Sequence, residues 1–324
     1  MNRRRCLHLL AGAAALAAAS GGAWAQAWPT RPVRIIVPFQ PGGSTDIFAR
    51  LAAHKLSEHF GKQFYIENIA GATGNVGAAQ AARAAPDGYT ALIAFSSYVV
   101  NPTLFAKLPF DPDKDLAPVT LAVSATNMIT VHPSVPARDL KELVALIKAN
   151  PGKYSYASGG VGTQAHLLGE MLRLSLGLDI VHVPFNGAAP AVASAVAGHT
   201  PIAWSTIASA AQALESRQLR PLAVTSKTRS QLLSDIPTTA EAGYPEIEGD
   251  SWVGLLVPAG TPREIIDALH REIARIIALP DVKARLPALG FEAVGSTPEE
   301  FAARIKAETV IWGKVIRAAN IKPE

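Results

Sequence analysis

Apolar positions along this chain switch repeatedly between two periods, and that switching outlines the architecture. Short runs rich in β-branched residues fall at 33–37 (VRIIV), 63–67, 89–95, 119–131, 153–157, 179–183, 201–205, 220–225 and 251–257. Runs of this length and composition read as buried strands. Between them, apolar residues recur at helical spacing near 44–59, 74–84, 138–149, 163–176, 188–197 and 206–216. Two further helices, 262–278 and 297–319, follow the last long strand. Ile47, Phe48, Leu51 and Leu56 recur at roughly helical spacing in the first helix. Regular alternation of strand and helix predicts an α/β fold with parallel sheets covered on both faces.

Two extended stretches stand apart. Residues 118–133 (PVTLAVSATNMITVHP) run long with no helical pattern, and 247–250 (IEGD) lead into SWVGLLV at 251–257. If both are strands that cross between sheets, the middle of the chain forms one lobe and the two ends together form the other. The expected division is a leader at 1–25, a first lobe at 26–125 plus 250–324, and a second lobe at 126–249. A ligand would then sit between the lobes, near strand ends.

The leader changes the charge picture. Arg3, Arg4 and Arg5 precede an apolar run at 9–19, and Ala23-Trp24-Ala25 fits the small-x-small cleavage rule, which predicts a mature start at Gln26. The apolar run is too short for a stable bilayer anchor. The arginines with Cys6-Leu7 also resemble a twin-arginine signal, so export by either the Sec or the twin-arginine route is open. Cleavage removes three arginines and no acids, so the formal charge of +4 falls to +4 − 3 = +1. No basic cluster remains to hold nucleic acid or anionic lipid. The one cysteine, Cys6, lies in the leader, so the mature chain suits an oxidising compartment and offers no thiol chemistry. A soluble periplasmic product is expected.

Candidate chemistry lies in glycine-rich turns that feed helices. In PFQPGGSTDIFAR at 38–50, Ser44 and Asp46 supply N-cap chemistry after Gly42-Gly43. In YSYASGGVGTQAHLLGE at 154–170, Ser158 to Gly162 turn the chain and Thr163 opens a helix. Such turns leave backbone N–H groups outward at the positive end of a helix dipole, a seat for an anion. Each dipole is worth only about 0.3–2 kcal/mol, but donors from two lobes converging in one cleft could together hold a carboxylate. A third turn, VPFNGAAP at 183–190, carries Asn186-Gly187. Ser96 follows the strand ending at Phe95. His166 and Glu170 stand at i, i+4, but no zinc-binding pattern surrounds them. Residues 71–77 (GATGNVG) match neither dinucleotide nor P-loop patterns. No nucleophile elbow occurs, so a hydrolase finds no local support.

These segments resemble the Bug family, the periplasmic solute-binding proteins of tripartite tricarboxylate transporters. The likeness runs through PFQPGGSTDIFAR at 38–50, IENIAGATGNVGAAQAARAAPDGYT at 66–90, YASGGVGTQAHLLGE at 156–170, VPFNGAAPAV at 183–192 and the stretches 219–245 and 297–316. It implies a two-lobed Venus-flytrap fold that closes on a small carboxylate-bearing solute. It also implies a monomer with no cofactor, whose partners are integral-membrane transporter subunits. Carried onto this chain, the ligand-binding positions are Phe39, Gly43, Ser44, Asp46 and Ser96, then Gly162, Thr163, His166, Asn186, Gly187, Ala188 and Ser205. Asp46 is expected to order its loop rather than meet an anion, since like charges repel. Relatives often carry acids where this chain has Pro201 and Ser205, which points to a carboxylate without an amino group. An enzyme acting on a carboxylated substrate, or a sensor for a signalling partner, are the competing readings.

Overall fold

Residues 28–42 and 44–323 are described by the computed structural model, with the backbone alone at Ser44. The leader, Cys6 and Gly43 lie outside the described residues. In chain order the elements are β1 (Val33–Val37), α1 (Ser44–Phe60), β2 (Phe64–Asn68), α2 (Asn75–Ala82), β3 (Thr90–Phe95), α3 (Ser97–Leu104), β4 (Leu116–Ala125) and β5 (Asn127–Val131). Then come α4 (Leu140–Ala149), β6 (Tyr154–Ser158), α5 (Gln164–Leu176), β7 (Ile180–Pro184), α6 (Ala188–Val196), β8 (Ile202–Thr206), α7 (Ile207–Glu215) and β9 (Arg220–Val224). The chain ends with β10 (Ser251–Pro258), α8 (Arg263–Ala278), α9 (Pro280–Arg285), β11 (Glu292–Ala293) and α10 (Pro298–Ala318).

The strands form two sheets, ordered β11-β4-β10-β3-β1-β2 and β7-β6-β8-β5-β9. Both are mixed, which corrects the expectation of parallel sheets. β1 runs parallel to β2 and β3, and β6 parallel to β7 and β8. However, β10 pairs antiparallel with β3 and β4, and β5 pairs antiparallel with β8 and β9. Connectivity explains the reversal. A parallel neighbour needs a helical crossover, whereas β5 follows straight on from β4 of the other sheet and β10 arrives from the other sheet through the connection 225–250. The extended run at 119–131 is thus two strands in two sheets, parted only at Thr126.

The crossings are tied together by buried hydrogen bonds. Thr225 Oγ1 donates to the Asn127 carbonyl at 3.1 Å and to the Gly249 carbonyl at 2.8 Å. Asn127 Nδ2 donates to Ser251 Oγ at 3.2 Å. Two of these bonds meet backbone carbonyls freed where a strand leaves its sheet, and the third joins two side chains across the crossing.

Two helices escaped the pattern, the short α9 and the buried α3. α3 follows β3 directly and reads SYVVNPTL, with Pro102 inside it and six of its residues buried. A helix buried on most of its circumference has no amphipathic stripe, and its apolar run merges with the strand before it. α10 shows clear signals instead: Thr297 and Glu300 form a capping box, and Pro298 stands in the first turn. Its buried face carries Phe301, Ile305, Trp312, Val315 and Ile316. Trp252 of β10 meets Phe301 edge-on at 5.2 Å, and its Nε1 donates to Glu308 Oε2 at 2.8 Å. The apolar cluster around these residues includes Tyr98 and Leu104 from the first sheet's side and Tyr156, Leu167 and Trp204 from the second's. One core therefore runs through both lobes.

Truncating the fully buried Phe301 to Ala should lower unfolding stability by about 3–5 kcal/mol, read as a lower urea midpoint. Gly169 faces the Tyr156 ring where an added Cβ would collide. Gly169→Ala should cost about 1–3 kcal/mol in the same assay; an unchanged midpoint would contradict the packing of α5 on β6.

Candidate functional site

The turns that leave the carboxyl ends of the parallel strands gather where the two lobes meet. A Cβ on Gly162 would stand 2.8 Å from Leu104 Cδ2 and 3.6 Å from Val100 Cγ1. The turn before α5 therefore lies against α3 of the opposite lobe.

On the first sheet's side, Phe39 follows β1 and meets Phe95 edge-on at 5.7 Å. Asp46 is buried, and its carboxylate accepts from Gly42 N at 3.0 Å, from Asn68 Nδ2 at 2.8 Å and from Arg50 Nε at 2.9 Å. Burial alone would raise its pKa, but the hydrogen bonds from Arg50, Asn68 and Gly42 outweigh it and hold the carboxyl below its ordinary value. Asp46 orders the turn, as its charge suggested. Ser96 sits at the start of α3, 1% exposed, and its hydroxyl has no partner among the described residues.

Between these two turns lies a loop that the sequence reading had set aside. Gly71, Ala72, Thr73 and Gly74 all have positive φ, from 46° to 138°. A β-branched residue in the left-handed region is strained, so surrounding contacts must hold it there. Here the Thr73 carbonyl accepts from Ser97 Oγ at 3.3 Å and from Asn101 Nδ2 at 3.1 Å. Asn101 Nδ2 also donates to Asn75 Oδ1 at 2.8 Å, while Asn101 Oδ1 stays unpaired. Thr73, Asn101, Phe39 and Ser97 line one narrow pocket. The glycine spacing in GATGN marked a special loop, but nothing in the sequence joined it to Asn101.

On the second sheet's side the donors are largely used internally. Thr163 Oγ1 donates to the Gly160 carbonyl at 2.8 Å and accepts from His166 N, capping its own helix. Gly162 N donates to His166 Nδ1 at 3.1 Å. His166 is 4% exposed and stacks on His182 with ring centroids 3.8 Å apart. It holds the turn from behind, and the geometry brings the pair together from different elements. Burial, with Arg173 adding, pushes the His166 pKa down to about 4. Burial and then His166 push His182 down to about 3, against the pull of Glu170. Both rings are neutral near pH 7.

The next turn lies backbone to backbone with this one. Gly187 N donates to the Gly159 carbonyl at 3.1 Å, and a Cβ on Gly159 would stand 3.1 Å from Ala188 N. Gly187 begins α6 with φ 112° and no side-chain cap, and Asn186 beside it is exposed. Unlike α5, capped by Thr163, and α7, capped by Thr206, α6 leaves its first-turn N–H groups without a side-chain acceptor. Ser205, at the end of β8, is 2% exposed and its hydroxyl is unpaired. Gln164, 3% exposed, has both amide atoms unpaired beside Gly249 and Trp312.

The assembled groups are hydroxyls, amides and helix N-termini, suited to an anion with several acceptor atoms. Ser158 Oγ and His182 Nε2 are 2.7 Å apart, a spacing a nucleophile and base would need. Ser158 is fully buried and also contacts the Gly160 carbonyl and amide, so the pair shapes the turn instead of facing a substrate. Among the described residues, no group of three or more His, Cys, Asp or Glu side chains is placed to hold a metal ion. No helix among them is long and apolar enough to cross a membrane.

Known proteins place this architecture. The family described as "Tripartite tricarboxylate transporter family receptor" matches residues 48–321. BugT of Bordetella pertussis is 34% identical over 324 residues, covering 99% of each chain. A solved structure described as a periplasmic transporter is 42% identical, with a TM-score of 0.79 over 91% of this chain and 99% of its own. Rpa4515 of R. palustris, solved with adipate, is 34% identical with a TM-score of 0.80, covering 92% of this chain and all of its own. MatC of Rhodopseudomonas palustris, with bound malate, is 31% identical with a TM-score of 0.76, over 89% of this chain and 100% of its own. The two sheets, the crossing strands and the facing turns are thus a two-lobed solute-binding fold, and the chain belongs to the Bug-type receptor family of tripartite tricarboxylate transporters.

Proposed function

We propose that this chain is an exported receptor that closes its two lobes on a small carboxylate-bearing solute and presents it to a membrane transporter. The lobes divide at 126 and 250, residues 1–25 are the export leader, and the mature protein works in the periplasm as a monomer. The observation that carries this reading is the facing of two sets of turns whose polar groups lack charge. Ser96 and Ser205 bring unpaired buried hydroxyls to the strand ends of the two sheets, and α6 brings an uncapped N-terminus. A buried hydroxyl without a partner costs about 1–3 kcal/mol, which a ligand's acceptor atoms would relieve. The relatives solved with adipate and malate support a carboxylate as the ligand class.

Binding proceeds by hinge closure. A carboxylate lodges on one set of turns, and closing brings the second set to its remaining oxygens and excludes water. Donors without formal charge hold the anion through several modest bonds, which keeps release feasible. The proposed ligand contacts are Phe39, Gly43, Ser44, Ser96, Asn186, Gly187, Ala188 and Ser205, joined by Thr73 and Asn101. Asp46, Gly162, Thr163 and His166 shape the turns beneath them. With a hydroxyl at Ser205 in place of an acid, the pocket offers no counter-charge there for an ammonium. Dicarboxylates or aromatic acids are therefore favoured over amino acids.

Thermal-shift and calorimetric titration with adipate, malate, benzoate, aspartate and glutamate should find binding among the first three. A ligand at 100 times its Kd should add about 2.7 kcal/mol to stability. Tight binding of only the amino acids would reject the proposed selectivity. NMR of a bound acid after long incubation should show it unchanged; turnover would favour the enzyme reading. Ser205→Asp should weaken carboxylate binding at least tenfold, roughly 1.4 kcal/mol, with the urea midpoint lowered far less than that loss implies. Undiminished affinity would place the ligand elsewhere.

A further inference from the structure

Beside the crossing lies a second polar cavity of about 470 Å³, whose wall includes Gly249 and Trp312, the residues beside Gln164 at the start of α5. Residues on both sides of the crossing wall it: Lys227 and Glu248 from the second lobe's side, and Glu292, Arg304 and Glu308 from the first's. At its edge stands Asp250, the residue before β10, where the chain passes from one lobe to the other. Its Oδ1 is buried and has no partner among the described residues.

The nearby cations are engaged elsewhere. Arg304 Nε pairs with Glu308 Oε1 at 2.7 Å, and Lys227 Nζ lies 3.8 Å from Glu248 Oε1. Glu308 also accepts from Trp252, and Glu292 accepts from Ser230 Oγ at 2.9 Å. Four carboxyl groups thus share two cations, and Asp250 is the buried one without an ion pair among the described residues. Residues of both lobes share this cavity with Asp250, Lys227, Thr228 and Glu248 on one side and Arg304, Glu308 and Trp312 on the other, and the Ser230–Glu292 bond joins the lobes at its margin.

We propose that Asp250 is a proton-operated latch in the hinge: closing the lobes places a proton on its carboxyl, so acidification favours the closed form. This rests on the two-lobed closure proposed above. Burial, with Glu292, Glu248 and Glu308 adding and Arg304 opposing, pushes the Asp250 pKa up to about 7. When the lobes part, water reaches the carboxyl and its pKa falls toward the ordinary value of 3.8. A group whose pKa is higher in the closed form takes up a proton on closing. Its contribution to closure is fully present below the open-form pKa and is lost as pH rises through the closed-form pKa. Between those limits the closed-to-open ratio falls by as much as about tenfold per pH unit.

The test needs no ligand, so its outcome is separate from the fate of the carboxylate reading. The mature chain, without the leader and its Cys6, carries no cysteine, so spin labels go on Lys62→Cys and Lys148→Cys, exposed positions on opposite lobes. Pulsed dipolar spectroscopy should show the short-distance population growing from pH 8 to pH 5.5. Asp250→Asn, a permanent neutral mimic, should hold the acid-form distribution at every pH. A wild-type distribution that ignores pH, or an identical pH response in Asp250→Asn, overturns the latch. If Asp250→Asn fails to fold, Glu292→Gln decides: removing one repelling carboxylate should move the transition to lower pH, and an unmoved midpoint overturns the proposal.

Discussion

The antiparallel pairing of β4 with β10 is the constraint on which the rest of the molecule depends. Those strands lie side by side in the first sheet from Leu116 to Ala125 and from Ser251 to Pro258, and both connect directly to the second lobe at one end. Pairing them brings Thr126 and Asp250 into one narrow crossing. The bonds among Thr225, Asn127, Gly249 and Ser251 then fix where each chain bends. With the crossings pinned at one end of both sheets, the parallel strands deliver their carboxyl ends to the same cleft. Without that pairing, the turns on the two lobes would have no reason to face each other.

Much of this was legible along the chain. The strand at 33–37 and the helix at 188–196 stand where their patterns placed them, to within a residue. Length, β-branching and bounding glycines are local properties, and local properties survive in sequence. Strand direction is not local. Nothing in SWVGLLV says that β10 runs against β3, because that follows from which lobe the chain came from. The α3 segment was lost for a related reason: its apolar residues serve burial on nearly every side, so no stripe distinguishes it from a strand's continuation.

The candidate site divides along the same line. Turns announce themselves by glycine and cap residues, so the 38–44, 158–163 and 186–188 segments were found. What each group is bonded to could not be read. Thr163, read as the start of its helix, caps that helix with its own hydroxyl, and His166, read as cleft-facing or helix-packing, stacks on His182, sixteen positions away (182 − 166) in a strand. The Thr73 carbonyl is held by side chains from α3, a helix that the pattern did not show. Local signals located the turns, while long-range contacts decide which of their atoms remain free.

Charge placement completes the logic of an anion receptor. Among the groups gathered at the cleft, Arg50 is engaged by Asp46 and both histidines are neutral, so attraction comes from dipoles and hydroxyls. The hinge cavity holds the opposite character, four carboxyl groups against two engaged cations. On the proposed reading, a small dianion would be repelled from the hinge acids and accepted in the cleft, so the two polar regions would not compete for it. A proton would be free to reach the hinge whatever occupies the cleft.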